Sequence, residues 1–288
     1  MNVGLIGLGI MGGPMALNLL KGGFALTVYD VAPEKCGPAT SQGARRATSP
    51  AEVARASEVV ITMVPDTPQV EVALLGERGV WQGLREGTTV IDMSTISPRA
   101  TVEMASRLSE KNCEMLDAPV SGGEKGAREA TLAIMVGGKE GVFQKCLPIF
   151  QALGKSIVYA GPNGFGQKMK LVNQVINSLN IVAMTEGLRL ARAAGLDLET
   201  TLRAVCGGAA SSWMLVNLGP KILQKDFAPG FSIKLQQKDL RLARELIEEV
   251  GGDYPGSKLT FDLFTEALER GLGNQGNQGL INIYEGFQ

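Results

Sequence analysis

Lys170 and Asn173 stand three residues apart at the head of the apolar run "KLVNQVINSLNIVAMTEGLRLARAAG". On a helix that spacing puts both side chains on one face. The chain contains no histidine, so Ser-His-Asp and Cys-His catalysis and the common imidazole-ligated zinc sites are excluded. Proton transfer must then fall to Lys, Tyr, Asp, Glu or Cys. In a first helical turn, the positive end of the helix dipole and burial both push a lysine's pKa down towards the range of a general acid/base. Asn173 is placed to orient a hydroxyl beside it. The alternative is a Lys170 that snorkels to solvent and an Asn173 that is a satisfied core amide; spacing alone does not choose. A competing arrangement, Tyr254-x-x-x-Lys258 in "YPGSK", needs both residues on consecutive helical turns. Pro255 and Gly256 argue against a helix there.

At the other end of the chain, "VGLIGLGIMGGPMALNLL" holds Gly7-x-Gly9-x-x-Gly12 between a strand-like run and a helix-like run. Gly7 permits the tight turn, Gly9 lets a pyrophosphate approach the backbone, and Gly12 lets helix and strand pack closely. The helix N-terminus offers its unpaired N–H groups to the phosphates. A glycine-rich turn without a ligand is the plainer reading, and the strand–turn–helix context argues against it. Asp30 closes the second strand, 18 residues after Gly12, where a carboxylate accepts bonds from the adenosine ribose hydroxyls and repels a 2′-phosphate. NAD is therefore expected over NADP, unless Arg45 and Arg46 fold back to hold that phosphate. A turn or cap aspartate is the competing explanation.

Two further clusters carry polar groups. In "DAPVSGGEKG", Ser121, Gly122 and Gly123 follow a strand, and consecutive N–H groups in such a turn can cradle a carboxylate. In "GFSIKLQQKDLRLA", Lys238 and Asp239 lie early in a helical run. An ordinary turn and an exposed charge pair would explain each cluster taken alone.

These residues need elements to position them. The first half alternates aliphatic β-type runs ("NVGLIG", "ALTVYD", "EVVITMV", "TTVIDM", "CEMLDAP") with helical stretches, two of which begin Ser-Pro. Ser before a Pro at the first helical position is a common helix start. The βαβα order predicts a parallel sheet covered by helices on both faces. "TLAIMVGG" and "SIVYAG" add two strands around a helix near residues 141–153. After "AGPNGFG" the pattern turns helical, with almost no strand signal. The expected domains are 1–162, α/β and doubly wound in the Rossmann manner, and 163–288, all-helical. The long helix over residues 167–194 opens the second domain, with Gly195 as its C-cap, and "GLGNQGNQG" reads as a turn region.

Composition agrees with a two-domain globular chain of 288 residues, 44% hydrophobic and 20% charged, with net charge −1. That charge gives no bias towards polyanions, which speaks against nucleic acid. The apolar N-terminus is broken by glycines and lacks a basic flank, so neither a signal peptide nor a membrane span is expected. Four scattered cysteines without a CxxC pair read as reduced thiols of a cytoplasmic protein.

Taken in order, "GLGIMGGPMALNL", "DAPVSGG", "GFGQKMKLVNQ" and "GFSIKLQQKDLRLA" resemble the cofactor, substrate, catalytic and closing motifs of the β-hydroxyacid dehydrogenase family. That family includes 3-hydroxyisobutyrate dehydrogenase, tartronate semialdehyde reductase and 2-(hydroxymethyl)glutarate dehydrogenase. The resemblance runs over nearly the whole chain. It implies an active site between the two domains and a homo-oligomer, dimer or tetramer. Lys170 would be the general acid/base and Asn173 its companion. Ser121, Gly122 and Gly123 would hold the substrate carboxylate, with Lys238 and Asp239 closing the site. Gly7, Gly9, Ile10, Met11, Gly12, Asp30, Val64, Pro65, Thr95, Phe231 and Lys238 would line the cofactor, and no metal is implied. Ala130 departs from the family's usual glycine, which puts the local backbone shape in question. Two alternatives remain: a non-catalytic dinucleotide-binding module, and an imine-reductase-like enzyme on the same fold, in which another residue would replace the lysine.

Overall fold

A computed structural model describes residues 1–284 and divides the chain into two compact units, Met1–Lys170 and Leu171–Gln288. The first unit runs β1 (Asn2–Ile6), α1 (Gly12–Lys21), β2 (Ala25–Tyr29), α2 (Gly37–Thr40), β3 (Arg45–Arg46), α3 (Pro50–Ala56), β4 (Val59–Thr62), α4 (Thr67–Leu75) and β5 (Thr89–Asp92). It continues through α5 (Pro98–Ser109), β6 (Glu114–Asp117), β7 (Val120–Ser121), α6 (Gly123–Glu129), β8 (Leu132–Gly137), α7 (Glu140–Leu153) and β9 (Gly154–Gly161). The strand order is β3-β2-β1-β4-β5-β6-β8-β7, with β9 paired to β8.

The central strands are buried on both faces, so their aliphatic residues alternate between two cores. Val3, Leu5, Ile61, Ile91 and Leu116 join Met15, Leu19 and Phe150 in one core. Ile6, Val60, Val90 and Met115 join Val53, Leu74, Met104 and Leu108 in the other. Both Ser-Pro helix starts hold: Ser49 Oγ accepts from Glu52 N at the head of α3, and Ser97 Oγ from Ala100 N at the head of α5.

The expectation of a parallel sheet needs one correction. β1 to β6 pair in parallel, but β8 runs antiparallel to both β6 and β7. Only residues 122–131 join β7 to β8, fewer than the dozen or so that a parallel crossover requires. The short elements α2, β3, β7, α4 and α6 lie outside the runs that the sequence marks, having neither a Ser-Pro start nor a compact aliphatic run of their own.

The second unit contains the rest of α8 (Phe165–Ala193), then α9 (Leu198–Cys206), α10 (Trp213–Leu223), α11 (Ile233–Val250) and α12 (Pro255–Glu269). Its core gathers Ile181, Leu188, Leu240, Phe264, Leu280 and Ile281 among others. Gly195, at φ +74°, ends α8, and Leu196 N turns back to Ala191 O. The glycine-rich stretch is more than a turn. Ser232 bridges Gly276, Ile233 N donates to Gln275 O, and residues Asn277–Ile283 form a buried 3-10 helix. No helix of the described residues is long and apolar enough to cross a membrane.

Pro255 does not break the helix at the Tyr254/Lys258 pair. α12 starts at Pro255, in its first turn, where its missing N–H costs nothing. Tyr254 is the residue before that helix, at φ −128° and ψ 71°, and both Tyr254 and Lys258 are exposed. The pair is set aside by geometry, not by a broken helix.

Candidate active site

In the first unit, the turn from β1 into α1 is shaped by its glycines. Gly7 sits at φ +94°, and a Cβ there would fall 2.3 Å from Met63 O. A Cβ on Gly12 would fall 1.9 Å from Gly7 O, so only glycine lets helix and turn pack this closely. A Cβ on Gly9 would meet nothing within 4 Å. That open side is a backbone surface another group can approach. Met11, at the head of α1, makes no side-chain cap, and no acid stands in the first turn. An uncapped helix start beside an open glycine fits a dinucleotide pyrophosphate. Ile10 is exposed and Met11 half-buried beside it.

Asp30 holds this turn in place. Its Oδ2 accepts from Leu8 N at 2.7 Å and its Oδ1 from Ala32 N at 2.9 Å. The carboxylate thus bonds the backbone of both loops; the bond to Ala32 N is the turn role that the competing reading gave it, and the bond to Leu8 N, 22 residues away, has no sequence signal. Arg45 is paired with Glu52 at 2.8 Å on the surface.

At the next strand ends, the backbone is laced to buried polar side chains. Val64 N donates to Ser94 Oγ at 3.0 Å, while Pro65 is exposed. Ser94 N and Thr62 Oγ1 both donate to Asp92 Oδ1, and Asp92 Oδ2 is buried without a partner. Burial pushes Asp92 up to about 6, against the opposing pull of Ser94 and Thr62. Gln167 accepts from Ile96 N at 3.1 Å and donates to Ser94 O at 2.9 Å, spanning the half-buried Thr95. Asp117, at the end of β6, accepts from Gly164 N at 2.8 Å and from Gln167 N at 3.0 Å. Burial pushes its carboxyl up while these bonds pull it down. Lys170 follows in the second turn of α8, not the first as its sequence position suggested, because the helix begins at Phe165; it is buried at 6% exposure.

Ser121, Gly122 and Gly123 form the turn between β7 and α6, all half-buried. Gly122 lies at φ +133° and Gly123 at φ +61°, and a Cβ on Gly123 would meet nothing within 4 Å. Successive positive-φ glycines turn adjacent N–H groups towards one side, as in anion-binding turns. Ala130, which ends α6, takes the left-handed conformation at φ 54°. The backbone that glycine would favour is kept, at the cost of strain in an alanine.

In the second unit, Asn173, Lys238 and Asp239 are joined through Gln174 by one polar chain, buried at Gln174 and Asp239. Asn173 Nδ2 donates to Gln174 Oε1 at 2.9 Å, and Gln174 Nε2 donates to Asp239 Oδ2 at 2.6 Å. Lys238 Nζ lies 2.7 Å from Asp239 Oδ1, with side-chain exposures of 12% and 1%. The exposed charge pair that sequence alone allowed is therefore withdrawn from the surface, with Asp239 buried and Lys238 half-buried. Gln174 was not singled out from the sequence, since an amide inside a helix gives no pattern of its own. Phe231 is half-buried, and its carbonyl accepts from Asn277 N at 3.1 Å.

Among the described residues no cluster of His, Cys, Asp or Glu could hold a metal ion. The geometry instead matches what relatives are named for. The family model described as the NAD binding domain of 6-phosphogluconate dehydrogenase matches residues 2–161. That described as NAD-binding of NADP-dependent 3-hydroxyisobutyrate dehydrogenase matches residues 164–284. The chain is 43% identical over 285 residues to 2-hydroxy-3-oxopropionate reductase of Escherichia coli, covering 99% of this chain and 97% of that protein. It is 37% identical to 2-(hydroxymethyl)glutarate dehydrogenase of Eubacterium barkeri, covering 98% and 94%. A crystal structure of 3-hydroxyisobutyrate dehydrogenase from Salmonella typhimurium superposes with a TM-score of 0.92 at 29% identity, covering 99% of this chain and 100% of that one. By two family models that together span residues 2–284 and by relatives at 37–43% identity over nearly its whole length, the chain belongs to the β-hydroxyacid dehydrogenase family of NAD(P)-dependent oxidoreductases.

Proposed function

We propose that this protein is an NAD-preferring dehydrogenase that interconverts a small β-hydroxyacid and its semialdehyde, with 2-hydroxy-3-oxopropionate and 3-hydroxyisobutyrate types as leading substrates. The observation that carries it is Lys170, buried in the second turn of α8 of a chain without histidine. Residues 1–162 would bind the cofactor and 163–288 would complete the substrate site and support a homo-oligomer, dimer or tetramer. The free and mostly buried cysteines suit a cytoplasmic protein.

Gly7, Gly9, Ile10, Met11 and Gly12 would receive the pyrophosphate, and Val64, Pro65, Thr95, Phe231 and Lys238 would line the rest of the cofactor. When bound, NAD supplies the hydride acceptor for oxidation and, reduced, the donor for the reverse. Asp30 favours NAD, because a carboxylate beside the ribose repels a 2′-phosphate. Arg45 is already engaged by Glu52. Ser121 with the N–H groups of Gly122 and Gly123 would hold the substrate carboxylate. In oxidation, neutral Lys170 Nζ takes the hydroxyl proton; in reduction, the ammonium returns it to the forming alkoxide. Asn173, fixed by Gln174, would hold the substrate hydroxyl in line with Lys170. Lys238, paired to Asp239, adds positive charge towards the anionic substrate.

The test is a nicotinamide absorbance assay over a panel of hydroxyacids and semialdehydes, with NAD and NADP in parallel. Turnover of at least one β-hydroxyacid, faster with NAD, is expected. No turnover of any, despite measurable cofactor binding, would favour the non-catalytic module. Turnover of cyclic imines alone would point to the imine-reductase alternative.

A further inference from the structure

Lys170 can act on a hydroxyl only if α8 is held at a fixed rotation and height, and the structure shows what holds it. Among the described residues, six other helices are capped by the residue just before them: Ser49, Asp66, Ser97, Asp197, Ser212 and Ser232. Such a cap satisfies the helix start but ties it to nothing else. At the start of α8, the residue before the helix is Gly164, at φ +87°, which has no side chain to cap with. The capping carboxylate comes instead from Asp117, 47 residues earlier at the end of β6.

Two glycines make room for that reach. A Cβ on Gly137 would fall 2.7 Å from Asp117 Oδ1 and 2.8 Å from Oδ2. A Cβ on Gly166 would fall 2.4 Å from Met135 O and 2.8 Å from Asp117 Oδ2. The helix start is thus pressed against β8 and β6 at a spacing that only glycine permits. The Gln167 side chain adds a second attachment, to Ile96 N and Ser94 O beside β5. Lys170 comes three residues after Gln167, one helical turn on.

We propose that Asp117 is a positioning residue for the proton-transfer step: by accepting from Gly164 N and Gln167 N it fixes the rotation of α8 and hence the place of Lys170 Nζ. This rests on the reading of Lys170 as general acid/base. Side chains stand roughly 5–6 Å from a helix axis, so a rotation of about 10° shifts them by about 1 Å. A misplacement of that size can cost about 10²-fold in rate. Asp117 itself touches neither substrate nor cofactor in this proposal.

The test is a double-mutant cycle of Asp117→Asn and Lys170→Met, read by kcat, substrate KM and cofactor Kd. Asp117→Asn keeps the shape but turns an amide N–H towards one of the two backbone donors. Alone it should lower kcat about 10²-fold, with cofactor Kd unchanged and KM little altered. In the Lys170→Met background it should cost almost nothing more, since both changes remove the same step. Asp197→Ala, which deletes an ordinary cap in the second unit, should leave kcat unchanged and so separates placement from simple loss of stability. Losses that multiply in the double variant, or a wild-type kcat for Asp117→Asn, would overturn the proposal. If Asp117→Asn does not fold, Gln167→Met loosens the same turn with Asp117 in place. Its kcat must then fall with cofactor Kd preserved, and a normal kcat refutes the proposal equally. If Lys170→Met retains turnover, the general acid/base reading fails first. If it is inactive and Asp117→Asn is not impaired, only the positioning role fails.

Discussion

In the proposed function, Lys170 supplies the nitrogen that takes and gives the proton, on a stem long enough to leave the helix. Lys170→Met keeps the stem's volume and removes the nitrogen. Turnover should fall by about 10²–10⁴, the usual worth of a positioned acid/base, while cofactor Kd and melting temperature hold. Lys170→Arg should fail as well, because a guanidinium does not deprotonate near neutral pH. Either variant keeping more than about a tenth of wild-type kcat would move proton transfer elsewhere. Asp92 makes a different claim, about stability. Its folded pKa is raised to about 6 from an ordinary 3.8, with burial as the cause. A raised folded value means that the native state holds the proton more tightly. The associated stability is fully present below about pH 4 and is lost as pH rises to about 6. Asp92→Asn removes that titration. The melting-temperature difference, variant minus wild type, should therefore climb between pH 4 and 6 and flatten above it. Parallel curves would show that the carboxyl does not titrate in this window.

At the scale of elements, the glycine turn separates two kinds of constraint. Gly9→Ala adds a methyl where nothing lies within 4 Å, so folding and melting temperature should be kept. The methyl would occupy the approach to the backbone, and cofactor Kd should rise tenfold or more, about 1.4 kcal/mol. Gly12→Ala puts a methyl 1.9 Å from Gly7 O, and overpacking of this kind costs about 1–3 kcal/mol. Calorimetry with cofactor titration should find Gly9→Ala stable and weakly binding, and Gly12→Ala destabilised. The reverse pattern would contradict the geometry. The α6–β8 turn offers a gain instead. Ala130 bears a left-handed backbone that costs a non-glycine residue about 1–2 kcal/mol. Glycine's greater freedom in the unfolded chain offsets part of this. Ala130→Gly should raise the melting temperature by a few degrees at most, and a fall would show that the methyl packs favourably.

At the scale of the whole molecule, the proposed function draws on residues from both units. The turn proposed to hold the carboxylate, Ser121 to Gly123, belongs to the first. The polar chain from Asn173 through Gln174 to Asp239 and Lys238 belongs to the second. A substrate without its carboxylate leaves polar groups of the site unpaired, which can lower kcat/KM by about 10⁴-fold. Steady-state kinetics on a methyl ester of the best hydroxyacid should show that loss, and comparable turnover would remove Ser121, Gly122 and Gly123 from this role. Gln174→Leu provides an internal comparison, since it should disturb Asn173 and Lys238 together while sparing cofactor binding.

The sequence by itself determined the features written as local patterns. Strand–GxGxxG–helix, two Ser-Pro helix starts, the turn to helical periodicity after residue 162 and the order of four motifs are all short-range signals. They led to the sheet strands β1, β2, β4, β5 and β6, to α8 with its Gly195 end, and to a family resemblance that the relatives bear out. Other features depend on groups far apart in the chain, and only the tertiary structure decided them. Whether β8 runs parallel or antiparallel depends on how a ten-residue connection folds in space. Whether Lys238 and Asp239 are exposed or buried depends on what packs against α11, which no pair of adjacent charges records. Asp30 reads as a ribose ligand by position, yet its oxygens also fasten Leu8 and Ala32. Asp117 reads as the first letter of a substrate motif, yet its carboxylate caps a helix 47 residues away. A hydrogen bond across that separation leaves no spacing in the sequence, because the residues it joins are brought together only when the strands have paired and the two glycines have let the helix close on them.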